Sequence, residues 1–303
     1  MYSAGIQRRD MPMPDKALPS WTGSIIVTGA TSQIAHFLLP RLSAAGIAVH
    51  GLSRHPCHQS WPGLTWHTVG IGKHVIPQEI RAASALIHLA PLWILTPLIN
   101  EAARRGVKRI IAFSSTGRFN KCDSPLASER NSIQKLIQAE SDLALQCEQH
   151  GIAWTLFRPT MIYGCGKDRN VSFIDRIVKR YGVFVIAGEG EGLRQPVHAE
   201  DLAQACLAAL DSPAARNRAY NLSGGETLTF RAIVEHIFIQ HGQKPRIVKL
   251  PVWLFQALIR LASLLPPYRY LNSQMVSRMS ADMCFDHTEA ARDFGFLPRG
   301  FRR

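Results

Sequence analysis

The stretch VTGATSQIA, Val27–Ala35, decides the fold. It follows a short apolar run, SIIVT (Ser24–Thr28), and leads into an apolar-patterned segment that reads as a helix from about Ser32 to Ala45. A strand, a tight turn of small residues and a helix form the arrangement in which backbone N–H groups at a helix start face an anion. Gly29 supplies the turn, while Ser32 and Ala35 stand where further glycines would allow the closest approach. Ala35 still permits tight helix–strand packing. Ser32 places a hydroxyl beside the anion site, where it either donates to phosphate or crowds it.

Outward from this turn the same alternation recurs. Strands are expected over Ile47–Leu52, Leu64–Thr68, Ala85–Leu89, Lys108–Ser114 and Ile152–Phe157. Helices are expected over Leu92–Arg105 and Ala127–Gln149, the latter with Ile133, Leu136, Ile137, Leu143, Ala144 and Cys147 on one face. Gly46, Gly106 and Gly151 sit where left-handed glycines end helices. Strands alternating with helices imply a parallel sheet with right-handed crossovers. After Pro159 the alternation loosens, which predicts a smaller second unit.

The chain has 303 residues, 46% hydrophobic and 19% charged, and a formal net charge of +13. Such an excess attracts anions, phosphorylated small molecules first and a membrane surface second. The bases are spread along the chain, so no nucleic-acid stripe is expected. The six cysteines form no C-x-x-C pair, which points to a reducing, cytoplasmic setting without a disulfide framework. His55 and His58 flank Cys57 without a matching acid, so no metal site is expected. Residues 1–21 read as a flexible tail. The apolar segment Leu250–Pro267 is shorter than the roughly 20 residues of a membrane span and contains Arg260. It reads as a core or pocket helix, or as a peripheral membrane contact through 250–267.

Five segments in order, VTGATSQIA, SALIHLAP (Ser84–Pro91), GVKRIIAFSST (Gly106–Thr116), FRPTMIYG (Phe157–Gly164) and RQPVHAEDLA (Arg194–Ala203), resemble the extended short-chain dehydrogenase/reductase family. The tail DMCFDHTEAARDFGFLP (Asp282–Pro298) resembles the C-terminal part of nucleotide-sugar epimerases and dehydratases in that family. The resemblance implies an α/β fold with a Rossmann-type, doubly wound parallel sheet and a smaller C-terminal substrate domain. The dinucleotide-binding domain is expected over 22–160 with 195–222 returning to it, and the substrate domain over 161–194 and 223–303. The resemblance places Gly29, Ser32, Gln33, Ile34, Ser53, Arg54, Leu89, Ala90, Ser114 and Pro159 at the cofactor, and Arg194, Arg278 and Asp282 at the substrate. The second strand ends in Ser53 and Arg54 with no acid, which favours NADP, with NAD as the alternative.

The family's proton chemistry rests on a tyrosine, a lysine four residues on, and a serine or threonine. Thr116 fits the last place, but no tyrosine occurs between Gly117 and His150. One register puts Ser132 and Leu136 at the pair's positions; the other puts Asn131 and Lys135 there. Neither serine nor asparagine titrates near neutrality, so neither replaces a tuned phenol. Tyr163, Lys135, Glu129 and His198 are the candidate replacements, and Thr116, Tyr163 and Lys135 the catalytic set carried forward. The expected function is an NAD(P)-dependent oxidoreductase or epimerase on a phosphate-bearing substrate, most plausibly a nucleotide-linked sugar. The alternative is a non-catalytic NAD(P)H-binding sensor or assembly protein. A homodimer is the expected assembly.

Overall fold

The computed structural model describes residues 21–69, 75–168, 170–262 and 279–301. The tail up to residue 20, Arg278 and the 263–267 part of the apolar segment lie outside them.

Seven parallel strands form the central sheet. In chain order they are β1 (Ile25–Thr28), β2 (Val49–Ser53), β3 (Leu64–Thr68), β4 (Ala85–His88), β5 (Arg109–Phe113), β6 (Ala153–Pro159) and β7 (Arg218–Leu222). Their spatial order is β7-β6-β5-β4-β1-β2-β3, which reverses direction of growth between β1 and β4. At such a switch point the connections leave on opposite faces, and a crevice opens at the carboxyl ends of the strands. This is the doubly wound, Rossmann-type sheet. β1 and β4 are buried on both faces, as apolar central strands of a parallel sheet should be.

Helices cover both faces. On one side α1 (Gln33–Ala44) lies against α5 (Ala199–Asp211), their Ile34, Leu38, Leu42, Leu202 and Cys206 joining the core under β1. On the other, α2 (Thr96–Arg104) and α3 (Ala127–Gln149) bury Leu98, Ile99, Ile133, Leu136 and Leu143. The helix expected from Leu92 begins as a 3-10 turn, Leu92–Ile94, and becomes regular only at Thr96. Pro97 accounts for this start, since a proline suits the first turn and has no N–H to bond backward. Left-handed glycines follow three of the helices as the sequence indicates, at Gly46 (φ +69°), Gly106 (φ +84°) and Gly151 (φ +61°).

A smaller lobe carries α4 (Val171–Tyr181), α6 (Phe230–Gln240) and α7 (Val252–Ala262), with the strand pair Phe184–Ala187 and Ile247–Leu250. Its own core joins Ile174, Val178, Phe184, Ile186, Ile233, Phe238 and Phe301. The lobe is tied back to α1 by ions. Arg41, buried on α1, pairs with Glu200 on α5, and Arg299 bridges Glu200 (2.8 Å) and Asp201 (2.7 Å). No helix among the described residues is long and apolar enough to cross a membrane.

Gly29 fixes the first crossover. Its φ is +65°, and a Cβ there would stand 2.7 Å from the carbonyl carbon of Leu89 and 2.9 Å from the amide of Ala90. Gly46 has a similar φ but nothing within 4 Å of a Cβ. Alanine at Gly46 is therefore expected to cost about 1 kcal/mol of left-handed strain. Alanine at Gly29 should cost clearly more, because the turn must also leave the β4 backbone. Urea unfolding of the two variants checks this; equal losses would mean that the close approach carries no energy.

Candidate functional site

The switch-point crevice holds two adjoining cavities. The smaller, about 230 Å³, is lined by Ser32, Gln33, Ile34, Leu89, Ala90, Ser114 and Pro159, with Leu92, Phe113 and Leu136 among its apolar walls. Seven of the ten cofactor residues expected from the sequence thus meet in one place. Gly29 forms the turn beneath them. Ser53, buried at the end of β2, donates its hydroxyl to the His55 carbonyl, and exposed Arg54 follows it. Neither residue lines this cavity.

At Ser32 the hydroxyl is drawn into the helix start. Ser32 is the N-cap of α1, its Oγ accepting from the Ala35 amide at 3.2 Å. An accepting hydroxyl keeps its proton free to donate. The first-turn amides of Gln33 and Ile34 have no carbonyl of the helix to bond, and both residues line the cavity. The buried Oε1 of Gln33 has no hydrogen-bond partner. A turn that only glycine can make and a helix start with spare N–H donors fit the pyrophosphate of a dinucleotide, while the Gln33 oxygen could meet only a donor.

Below the turn, His88 closes β1 onto β4. Its Nδ1 lies 2.7 Å from Thr28 Oγ1, and its Nε2 lies 3.1 Å from the Pro91 carbonyl. A carbonyl only accepts, so Nε2 carries the proton and Nδ1 accepts from Thr28. Complete burial pushes the imidazole down to about 4, with the Pro91 bond opposing only slightly. The ring is neutral.

The larger cavity, about 690 Å³, shares Gln33 and Ile162 with the smaller one. Thr116, Lys121, Lys167 and Arg194 supply its polar side; Phe173, Phe184, Phe230, Met279 and Met283 supply an apolar wall. Thr116 donates to the Pro159 carbonyl at 3.1 Å, which leaves its lone pairs toward the cavity. Arg194 is buried and its Nη1 donates to the Leu193 and Ala281 carbonyls. Asp282 is exposed, accepts from the Leu193 amide at 2.8 Å, and lines neither cavity. Lys167 bonds the Thr31 carbonyl at 3.0 Å, so it spans from the small lobe to the glycine turn. Its charge adds to burial in holding His36 on α1 below the ordinary histidine range.

The candidate replacements for the phenol fall elsewhere. Tyr163 is 0% exposed, its ring packed edge-on to His198 and against Phe301, with its hydroxyl 3.5 Å from the Gly300 carbonyl. It lines neither cavity. Lys135 is exposed on α3, while its neighbour Leu136 faces the smaller cavity. Ser132 is exposed and bonds the Ser128 carbonyl. His198 caps α5 and is held down to about 4 by burial, with Arg299 adding to the effect. Glu129 accepts from Ser124 at 2.8 Å. No group of three or more metal-ligating side chains occurs among the described residues, His55, Cys57 and His58 included.

Lys121 and Lys167 were not singled out by sequence reasoning. The one signal for Lys167 is its position three residues past the glycine that ends FRPTMIYG. Lys121 follows a 3-10 turn, Thr116–Phe119, that no periodicity marks.

Residues 76–223 match the model of the NAD dependent epimerase/dehydratase family. An uncharacterized protein, y4nG, of Sinorhizobium fredii is 27% identical over 300 residues, which cover 90% of this chain and 74% of that protein. A UDP-glucose 4-epimerase of Vibrio cholerae is 21% identical over 210 residues, 66% of this chain and 62% of the enzyme. Among solved structures, MoeE5 in complex with UDP-glucuronic acid and NAD superposes with a TM-score of 0.69 at 18% identity, covering 92% of this chain and 95% of that one. The fold shared with that structure therefore spans nearly the whole chain.

The buried imidazole gives a pH prediction. A histidine whose folded value is about 4 and whose unfolded value is near 6.5 binds more protons unfolded in that interval. Stability is thus complete above the unfolded value and falls as the pH drops toward 4. For His88 the loss is bounded at about 3 kcal/mol. Chemical unfolding from pH 7 to pH 4 should show this slope, and His88→Gln should flatten it by about one proton. A slope identical in the two proteins would exclude His88 as its source.

Proposed function

We propose that the smaller cavity holds the nicotinamide end of NAD(P) and the larger one a phosphate-bearing substrate, most plausibly a nucleotide-linked sugar, in a protein without the family's tyrosine–lysine pair. The observation that carries the reading is that the two cavities share Gln33 and Ile162, so that ligands in the two would be neighbours. Gly29, Ser32, Gln33 and Ile34 would hold the pyrophosphate, with Leu89, Ala90, Ser114 and Pro159 along the rest of the cofactor. A bound nicotinamide would supply hydride acceptance or donation. In this reading the substrate side is the unit expected from the sequence over 161–194 and 223–303, joined by Gln33 and the 115–121 loop.

Lys121, Lys167 and Arg194 offer the positive charge a diphosphate needs, and Thr116 offers lone pairs to a substrate hydroxyl. Arg54 would meet a 2′-phosphate at the end of β2, which favours NADP over NAD. That preference is expected as tighter NADPH than NADH binding in fluorescence titration, with Arg54→Ala narrowing the gap. Equal affinities in the parent protein would remove Arg54 from the cofactor site.

A second reading, a cofactor-binding protein that performs no turnover, is favoured by Leu136. Its apolar side chain stands in the smaller cavity, where the Ser132/Leu136 register places the family's lysine. Among the described residues, no tyrosine or histidine lines either cavity. General acid–base catalysis by a positioned group contributes roughly 10²- to 10⁴-fold, so its loss should be visible in rate before binding. Calorimetry and turnover measurements on UDP-glucose and UDP-glucuronic acid separate the two. The enzyme reading expects slow but measurable turnover that falls further in Thr116→Ala while dinucleotide binding is kept. Dinucleotide binding with no turnover on any nucleotide-linked sugar selects the second reading, and absence of dinucleotide binding would defeat both. Lys167→Ala should weaken dinucleotide or substrate binding by about 2 kcal/mol, the scale of one charge-assisted bond.

A further inference from the structure

Helix α7, Val252–Ala262, is apolar on both of its sides. Inward, Ile259 is 7% exposed and packs with Ala187, Met279, Phe255 and Phe230. Outward, Trp253 is 69% exposed, Leu261 66% and Leu258 48%. Its polar residues are Gln256 and Arg260, and it carries no acid. The preceding strand pair adds a directly opposed, exposed couple, Val185 and Val248. A helix that is apolar all round is ordinarily buried or in contact with lipid, and here half of it faces outward.

The charges on the segments that form this face are basic, with Glu189 paired to Lys249 at their edge. The segments 176–188 and 242–262, which contain the strand pair, α7 and the end of α4, hold Arg176, Lys179, Arg180, Lys244, Arg246, Lys249 and Arg260 and no Asp or Glu, with Asp175 and Glu189 flanking the first of them. All seven are exposed. Glu189 reaches Lys249 from outside these segments. A second copy of the chain seated on this face would bring the same bases against each other across a twofold axis, and like charges in register oppose association. An anionic lipid surface answers both the apolar stripe and the bases. We propose that α7 and the strand pair dock this protein on anionic bilayers, with Trp253, Leu258 and Leu261 entering the interface.

Such docking reaches the candidate site through two shared side chains. Phe230 and Met279 pack on the inner side of α7 and also line the larger cavity. The apolar wall of that cavity is thereby laid one side chain away from the bilayer interface.

The test uses the full-length protein and sucrose-loaded vesicles of phosphatidylcholine with about 30% phosphatidylglycerol, against pure phosphatidylcholine. Co-sedimentation with the anionic vesicles is expected, weakened by salt, with little on the neutral ones. Trp253→Glu/Leu261→Glu should lower the partition coefficient at least about tenfold. Lys179→Glu/Arg180→Glu, on a different helix, should lower it severalfold. Thermal unfolding and dinucleotide binding of both variants report whether the fold is kept, and the second variant carries the test if the first does not fold. Phospholipids with brominated acyl chains should quench emission in the parent and less in Trp253→Phe. Equal binding to neutral vesicles, no binding to anionic ones, or unchanged binding by folded variants each overturns the proposal. So does concentration-dependent dimerisation that the Trp253→Glu/Leu261→Glu variant abolishes, which would assign the face to a second copy.

Discussion

The crevice exists because the backbone of Gly29 lies against the Leu89–Ala90 peptide. At 2.7 Å from a would-be Cβ there is no room for a side chain, and the φ of +65° excludes most residues on its own. The approach brings the end of β1 and the end of β4 together, and it aims the start of α1 into the space between them. His88 holds this contact from below: its buried ring takes the Thr28 hydroxyl on one nitrogen and gives a proton to Pro91 on the other. Burial keeps the ring neutral, so with Nε2–H donated to Pro91 the Nδ1 lone pair accepts from the Thr28 hydroxyl. From the far end, α1 is held by Arg41 through Glu200 to Arg299, so the helix cannot tilt without breaking a partly buried ion network.

This dependence explains which parts were legible in the sequence. The parallel strands could be read because central strands buried on both faces appear as short unbroken apolar runs, IIVT and ALIH being the clearest. Gly46, Gly106 and Gly151 marked helix ends because left-handed backbone is a local demand met by one residue type. The lining at Ser32, Gln33, Ile34, Leu89, Ala90, Ser114 and Pro159 was accessible for the same reason: strand ends and helix starts at the switch point must face the crevice.

What the sequence hid is set by tertiary packing. Tyr163 looked like a spare phenol beside the site, yet a two-residue strand, Ile162–Tyr163, turns alternate side chains to opposite faces. Ile162 therefore meets both cavities while Tyr163 goes into the core of the small lobe. Lys135 and Leu136 are likewise one residue apart on α3, about 100° around the helix, and only one of them can face the crevice. Burial of Ile133, Leu136, Ala139 and Leu143 decides which. The cations Lys121 and Lys167 come from loops with no repeat to betray them, and they acquire meaning only when the small lobe is brought over the glycine turn.

The same packing makes Glu140 a structural rather than a chemical carboxylate. It is buried behind Ser114, which donates to it, and it is shared by Arg118 and by Arg158 at 2.6 Å. Both guanidinium groups also lie over the Phe119 ring, at 5.3 and 5.6 Å. One carboxylate thereby sets α3, β6 and the Thr116–Phe119 turn relative to one another. Because Leu136 is one helical turn before Glu140, this lock also fixes how deeply Leu136 enters the smaller cavity. An apolar side chain anchored there cannot donate or accept a proton, and in the proposed function the polar groups left to do so are those of the larger cavity, Thr116, Lys121 and Lys167 among them. In the proposed function, the chemistry of the site would turn on α3 as much as on the glycine turn, because the Ser132/Leu136 register puts leucine at the lysine position.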